Sequence, residues 1–359
     1  MMYEYWLALI PNLSDCKKRL LREEYKEGRV VYYIEEMRLR FLPFLQAKDV
    51  EAVLQARKEI ETEKEWEYLA KQNIRFVPYF SEEYPKKLMQ IADPPYALYV
   101  KGSLPQENTL SAAIVGARRC TPYGEEMALD YGRCLAEHGI QVISGMARGI
   151  DGAGQRGALN GGGRTFGVLG CGVDICYPRD HIGLYMDIQQ SGGVISEQQP
   201  KRPPLPMYFP MRNRIISGLS DLVLVMEARE RSGSLITADQ ALEQGKDVYA
   251  LPGPVTSQLS QGCHFLIRQG AGILITPEDL LAELGIAKRE LGQKTDKIEK
   301  TLENHENVVY SCLGFFPKGL SQLIAETGQD VSVIMQSLIT LEIKGRIREV
   351  SKNHYIRVC

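Results

Sequence analysis

The chain has 359 residues, 44% of them hydrophobic and 25% charged, with a formal net charge of -2. That length leaves room for two or three domains, and the near-neutral charge excludes a global positive field that would draw in nucleic acid. Eight cysteines without a Cys-x-x-Cys pair argue against a zinc ribbon and fit the reduced thiols of a cytosol.

The opening stretch, MMYEYWLALI, lacks a positively charged start and ends at Pro11, so neither a signal peptide nor a membrane span is expected, and the location expected is cytoplasmic. Residues 1–72 predict an N-terminal helical module. Ser14 caps a basic run to Tyr25, and 49–72 predicts one long, charged amphipathic helix. Two roles fit the module: packing or dimerisation, and DNA binding of the helix-hairpin-helix kind. Against the second, Pro11-Asn12-Leu13 stands where a Gly-x-Gly turn would present backbone N–H groups to a phosphate.

Residues 73–285 have the rhythm of a Rossmann-like α/β domain with a doubly wound, mostly parallel sheet. The apolar runs 112–116, 140–144, 165–169, 193–196, 222–227 and 247–251 predict strands. They do not alternate, as expected when both faces of a sheet are covered. A strand pair at 74–77 and 97–101, bracketing helix-like 82–92, extends the sheet. Residues 286–303 are polar and charged and predict a linker. In 304–359, helices at 306–313, 319–327 and 331–344 precede strand-like runs at 346–350 and 354–358, the pattern of a winged-helix domain. Its third helix offers only Lys344 as a cation, which favours protein contact over reading a DNA groove.

In an open parallel sheet, ligands lie beyond the carboxyl ends of the strands, near the point where strand order reverses. Here those ends run into glycine-rich or arginine-bearing loops: Gly116-Ala117-Arg118-Arg119, Ser144-Gly145, Gly170-Cys171-Gly172, and Arg229 to Ser234. The richest stretch is 209–237. Phe209, Arg212, Asn213 and Arg214 open one helix, and Ser232-Gly233-Ser234 opens the next. An aromatic face and guanidinium groups beside unpaired backbone N–H donors suit a base and its phosphate. Arg214 has an alternative role, an internal ion pair with an acid such as Glu227.

Other chemistries fit less well. Gly170-x-Gly172 lacks the third glycine of a dinucleotide fingerprint, and no Gly-Lys-Ser/Thr marks a phosphate loop. No cofactor or metal is expected. Asp151, Glu197 and Glu227 lie at strand ends and leave one enzymatic alternative, acid–base cleavage of an N-glycosidic bond in a nucleotide.

Taken in order, the motifs resemble the DNA processing protein A family. They include Tyr84-Pro85, Asp93-Pro94-Pro95, IVGARRCTPYG (114–124), SGMARGID (144–151), VLGCGVDICYP (168–178), SEQQP (196–200), FPMRNRIISGLS (209–220), EARERSGSLITADQALEQGKDVYALPG (227–253) and QGCHFLIRQGA (261–271). The resemblance implies a Rossmann-like core that binds single-stranded DNA without sequence preference, forms a homodimer and loads a RecA-type recombinase in natural transformation or recombination. The arginine of the family's VG-x-R motif falls on Arg118, and its FP-x-RNR motif on Phe209, Arg212, Asn213 and Arg214. Dimer and recombinase contacts would fall at Leu242–Asp247 and His264–Ile273, with Phe265, Ile267 and Ile273 as an apolar stripe that could equally be core. The chain departs from the pattern at Pro206, where some members carry a lysine, so one cation is either missing there or supplied by Lys201 or Arg202. It departs again at Gly154-Gln155, where some relatives have Ala-His.

Overall fold

The structure is a computed structural model that describes residues 1–286, 304–314 and 317–357. The expected 286–303 linker lies, Ile286 aside, outside the described residues. At the centre is a nine-stranded sheet of β1 (Arg75–Pro78), β2 (Ala97–Gly102), β3 (Ser111–Val115), β4 (Gln141–Ser144), β5 (Thr165–Val168), β6 (Gly193–Ser196), β7 (Leu222–Val225), β8 (Asp247–Ala250) and β9 (Gly272–Ile273). Their spatial order is β1-β2-β6-β5-β4-β3-β7-β8-β9. The strands from β3 onward pair in parallel, while β2 pairs antiparallel with both β1 and β6. From β3 the chain therefore winds outward through β4, β5 and β6, then crosses back to lay β7 on the other side of β3. That places the reversal of strand order between β3 and β7.

The apolar runs form strands because both faces of the sheet are covered. Ala113 and Val115 face one core with Ile215, Ile216 and Leu219, while Ala112 and Ile114 face the other with Ala128, Tyr131 and Ala153. All five residues of β3 are buried. Within this sheet only β9 is not expected from the sequence, because two residues are too few to show any periodicity.

The N-terminal segment is helical, but residues 49–72 do not form one helix. Ala47–Glu59 ends at Ile60, and Thr62–Lys71 starts a second helix. The charges account for the break. Arg57 and Lys58 sit in the last turn of the first helix and Glu63 and Glu65 in the first turn of the second, each complementing the local helix dipole. These helices pack on the β1–β2 end of the sheet. Trp6 and Leu7 share a core with Tyr96 and Ala97, and Tyr5 and Leu69 share one with Tyr99 and Val194.

After residue 303, helices Asn304–Cys312, Leu320–Thr327 and Val331–Ile343 surround a small antiparallel sheet of β10 (Lys318–Gly319), β12 (His354–Arg357) and β11 (Ile347–Ser351) in that order. This is the three-helix, β-wing arrangement expected from the sequence. Among the described residues no helix is long and apolar enough to cross a membrane.

Candidate nucleic-acid interface

A cleft of about 560 Å³ opens where the strand order reverses. Its walls include Arg118 from the loop after β3, Phe209 and Asn213 from helix Tyr208–Leu219, and Arg231 and Ser234 at the start of helix Gly233–Glu243. An adjoining hollow of about 170 Å³ shares Arg118, Phe209 and Arg212 and adds Arg119 and Arg148. The aromatic and cationic parts are in contact: the Arg118 guanidinium lies over the Phe209 ring, 5.3 Å from its centroid. Arg118 has no ion-pair partner among the described residues, so its charge is available to a ligand.

The loop after β5 makes the aromatic platform possible. A Cβ on Gly170 would lie 3.0 Å from the Phe209 ring, so a side chain there would displace it. Tyr177 completes the platform, with its ring centroid 5.5 Å from that of Phe209 and the two planes only 33° apart. Its side chain is 39% exposed and borders both hollows. The sequence reading gave Tyr177 no role, although it lies in the VLGCGVDICYP motif. An aromatic before a proline at a strand-end loop was the available signal.

Arg212 forms the floor. It is buried, and its Nη1 donates to the carbonyls of Gly145 (2.8 Å) and Val168, the ends of β4 and β5. Burial lowers its pKa to about 10, against the raising influence of Asp151, so it remains a cation at neutral pH. Gly145 leaves the room it needs, since a Cβ there would fall 2.6 Å from Nη1. Asp151 Oδ2 accepts the backbone N–H groups of Gly145 (3.1 Å) and Ala147 (3.4 Å), and burial raises its pKa despite Arg212. Arg212 thus braces the site and presents only part of its guanidinium to it.

Several other expected residues converge on the cleft. Gly116 lines it, and a Cβ there would meet Ile150 at 2.7 Å. Asn213 Nδ2 donates to the Gly233 carbonyl (3.2 Å), tying the two helix starts together. Ser232 caps the second helix by accepting the Ser234 N–H, and the two hydroxyls are 2.7 Å apart. Arg231, next to this cap, joins the lining although the sequence reading had not singled it out.

Two expected residues are placed elsewhere. Ser144 is fully buried and donates its hydroxyl to the Ile114 carbonyl, bridging neighbouring strands. Arg214 faces away from the cleft, because two residues along a helix turn a side chain to nearly the opposite side. Its Nη2 donates to Glu197, with Asp93 a further 3.8 Å from Nε. The alternative of an internal ion pair holds in kind, but the acid is Glu197. Glu227 instead accepts the backbone N–H (2.9 Å) and hydroxyl (2.6 Å) of Thr121 at the start of helix Pro122–Glu137.

The position of the missing lysine is in the cleft, since Pro206 lines it, but neither substitute reaches it. Lys201 pairs with Glu65 (3.0 Å) and lies over the Tyr68 ring, and Arg202 donates to the Tyr208 hydroxyl (3.0 Å). The three acids of the enzymatic alternative are also separated. Asp151 borders the cleft, Glu227 is engaged in capping and Glu197 lies behind helix Tyr208–Leu219.

At the far edge of the sheet, Leu242, Phe265 and Ile273 are 52%, 47% and 48% exposed beside the outermost strand β9, whereas Ile267 packs against the core. The stripe is thus part surface and part core. Asp247 is exposed, and His264 contacts the Gly253 carbonyl through Nε2 (2.9 Å).

Comparison with known proteins agrees with this architecture. Residues 75–285 match the model of the family described as DNA recombination-mediator protein A, and residues 293–351 match that of the DprA winged helix domain. The chain is 38% identical to Protein Smf of Escherichia coli (strain K12) over 313 residues, 84% of this chain and 82% of that protein. It is 42% identical to DNA processing protein DprA of Streptococcus pneumoniae over 200 residues, 56% of this chain and 71% of that one. Among solved structures, the X-ray structure of DNA processing protein A from Streptococcus pneumoniae aligns with a TM-score of 0.69 at 32% identity, covering 79% of this chain and 98% of that one. A structure of the Helicobacter pylori protein, described as giving insight into its single-stranded DNA binding mode, aligns at 0.54 and 30% identity, covering 59% and 97%. With a sheet that reverses at β3, an Arg118–Phe209 cleft at that reversal and a winged helix after it, the chain belongs to the DNA recombination-mediator protein A family.

Proposed function

We propose that the chain binds single-stranded DNA without sequence preference in the cleft at the β3–β7 reversal and passes the strand to a RecA-type recombinase. The observation that carries this is the Tyr177–Phe209 platform with the Arg118 guanidinium over it. Every base has a π-face, so stacking on such a platform tolerates any sequence. Arg118, Arg119 and Arg231 around the rim attract the phosphates, while Arg148 is paired with Asp180, and the start of helix Gly233–Glu243 adds the partial positive charge of its dipole. Duplex DNA hides its π-faces in the stack, so preference for a single strand follows from the same geometry.

No chemistry on the strand and no cofactor belong to this reading. Cleaving an N-glycosidic bond needs an acid and a base at one place, and Glu197 and Glu227 are held away from Asp151 by their own partners. The exposed Leu242, Phe265 and Ile273 at the β9 edge suit contact with a second copy or the recombinase. Our division of the chain at residues 72/73, 285/286 and 303/304 goes with this reading, as does action in the cytoplasm. The test is fluorescence anisotropy of labelled oligo-dT and a matched duplex at two salt concentrations. Tight, salt-sensitive binding that favours the single strand and is lost in Arg118→Ala is expected. Equal weak binding to both DNAs would sink the proposal and make nucleotide turnover the next assay.

A further inference from the structure

Helix Tyr208–Leu219 has two differently occupied sides. Phe209 and Asn213 face the cleft, while Tyr208, Met211 and Arg214 border a second cavity of about 300 Å³, closed on its other sides by residues 8–18 and by Tyr96 and Tyr99. There the Arg214 and Glu197 side chains are only 13% and 7% exposed and are joined by a single hydrogen bond. Arg214 Nη1 and Glu197 Oε1 are both buried without a partner. Buried polar groups are normally satisfied, and a half-satisfied buried ion pair is destabilising compared with a fully paired one. The pair nevertheless joins the middle of the helix to the residue just after β6; among the described residues the other carboxylate on Arg214 is the exposed Asp93, 3.8 Å from Nε.

We propose that Glu197 is a positioning residue: through Arg214 it fixes the rotation of helix Tyr208–Leu219, and with it the placement of Phe209 and Asn213 in the cleft, without touching the strand. This rests on the cleft being the single-stranded DNA site. The charged and titratable groups facing Glu197 are Arg214 from the helix, Asp93 from the turn before β2, Asp15 from helix Asp15–Tyr25, and Tyr84. Burial raises its pKa to about 7, opposed by the adjacent Arg214 guanidinium. Its carboxylate therefore holds Arg214 in mildly alkaline solution, and protonation on mild acidification weakens the hold. The direction is diagnostic. A histidine gaining a proton near the strand would add positive charge and tighten binding, whereas protonating Glu197 loosens it.

The test is the anisotropy of labelled oligo-dT with the full chain at constant ionic strength between about pH 8 and about pH 6, a range that brackets the raised pKa of Glu197. The parent should lose affinity about fivefold on acidification, a typical coupling between separate sites. Glu197→Gln should bind at the weakened level throughout, with a flat profile and a folded-state melting transition. Arg214→Lys tests the pair from the other side, since an ammonium cannot reproduce the guanidinium geometry. It should weaken binding at about pH 8. A flat profile in the parent overturns the proposal, as does a slope that survives in Glu197→Gln or unchanged binding in Arg214→Lys. A parent that binds oligo-dT, loses it in Arg118→Ala and is flat in pH overturns this inference alone. A parent that binds no oligo-dT at any pH overturns the function with it.

Discussion

Two regions of this molecule carry folds that proteins use to read nucleic acid: the carboxyl edge of the central sheet and the third helix of the winged-helix domain. At the sheet edge, unpaired Arg118 lies over Phe209 beside a helix start. On the winged helix, the helix Val331–Ile343 instead exposes Val331, Ile339 and Ile343 at 46%, 55% and 81%. Lys344, at the end of that helix, is engaged by Glu306 at 2.8 Å. One surface offers free charge and π-faces, and the other offers apolar area with the charge at its helix end neutralised. Fold alone does not separate the two, because binding depends on the groups mounted on it.

The largest expected effect comes from the floor of the cleft. Arg212→Ala removes the buried guanidinium that joins the ends of β4 and β5 and leaves Asp151 without its counter-charge. Hydrogen bonds to charged groups contribute about 1.5–3 kcal/mol each, so a loss of about 3 kcal/mol in stability is expected together with loss of oligo-dT binding. Chemical denaturation would show it. A variant as stable as the parent would mean that Arg212 is a ligand contact and not a brace, erasing the distinction between the platform and its support.

Next comes the platform. Phe209→Ala should weaken oligo-dT binding by about 1–3 kcal/mol, with a smaller cost in stability because its ring is only partly buried. Tyr177→Ala should act in the same direction with a smaller loss, its ring being more exposed. If Tyr177→Ala binds as the parent does, the platform is a single ring.

The sequence makes the parallel strands legible because a buried parallel strand is a short, unalternated apolar run, and each of the six such runs is a strand. It makes Arg118 and Phe209 legible because they stand at strand and helix ends, where backbone N–H groups are free. Ser144 and Arg214 show the limit. A serine ending a strand can turn to the ligand or to the neighbouring strand, and the motif reads alike in either case. Arg214 is one residue from Asn213, yet helical geometry puts its side chain behind the site, where Glu197 holds it. The helix break at Ile60 was available in the charges flanking it, but a continuous amphipathic pattern outweighed them. Tyr177 is not legible because Gly170 and Gly172 mark its loop in the sequence, while only the fold brings its ring beside Phe209.

A smaller effect separates charge from stacking. Arg118→Ala should weaken oligo-dT binding several-fold at low salt, and less as salt rises, because one phosphate contact contributes about 0.7 to the logarithmic salt slope on a single strand. Phe209→Ala should leave that slope unchanged. Measuring both slopes shows whether Arg118 acts on phosphate or mainly supports the ring beneath it. An unchanged slope in Arg118→Ala would assign it to the ring.

The smallest expected effect is on the winged helix. Lys344→Ala removes the cation that follows helix Val331–Ile343, and Ile339→Asp places a negative charge on its exposed face. If that face met DNA, both changes would weaken binding, Ile339→Asp the more so because an acid repels phosphate at any salt short of full screening. If the face is a protein surface, oligo-dT and duplex affinity should stay at parental values in both variants, since the cleft carries the strand. Because Lys344 already pairs with the buried Glu306, its charge is neutralised in the parent, and Lys344→Ala should leave oligo-dT affinity unchanged. Loss of affinity in Ile339→Asp, with a folded winged helix, would instead place nucleic acid on both regions and remove the contrast between them.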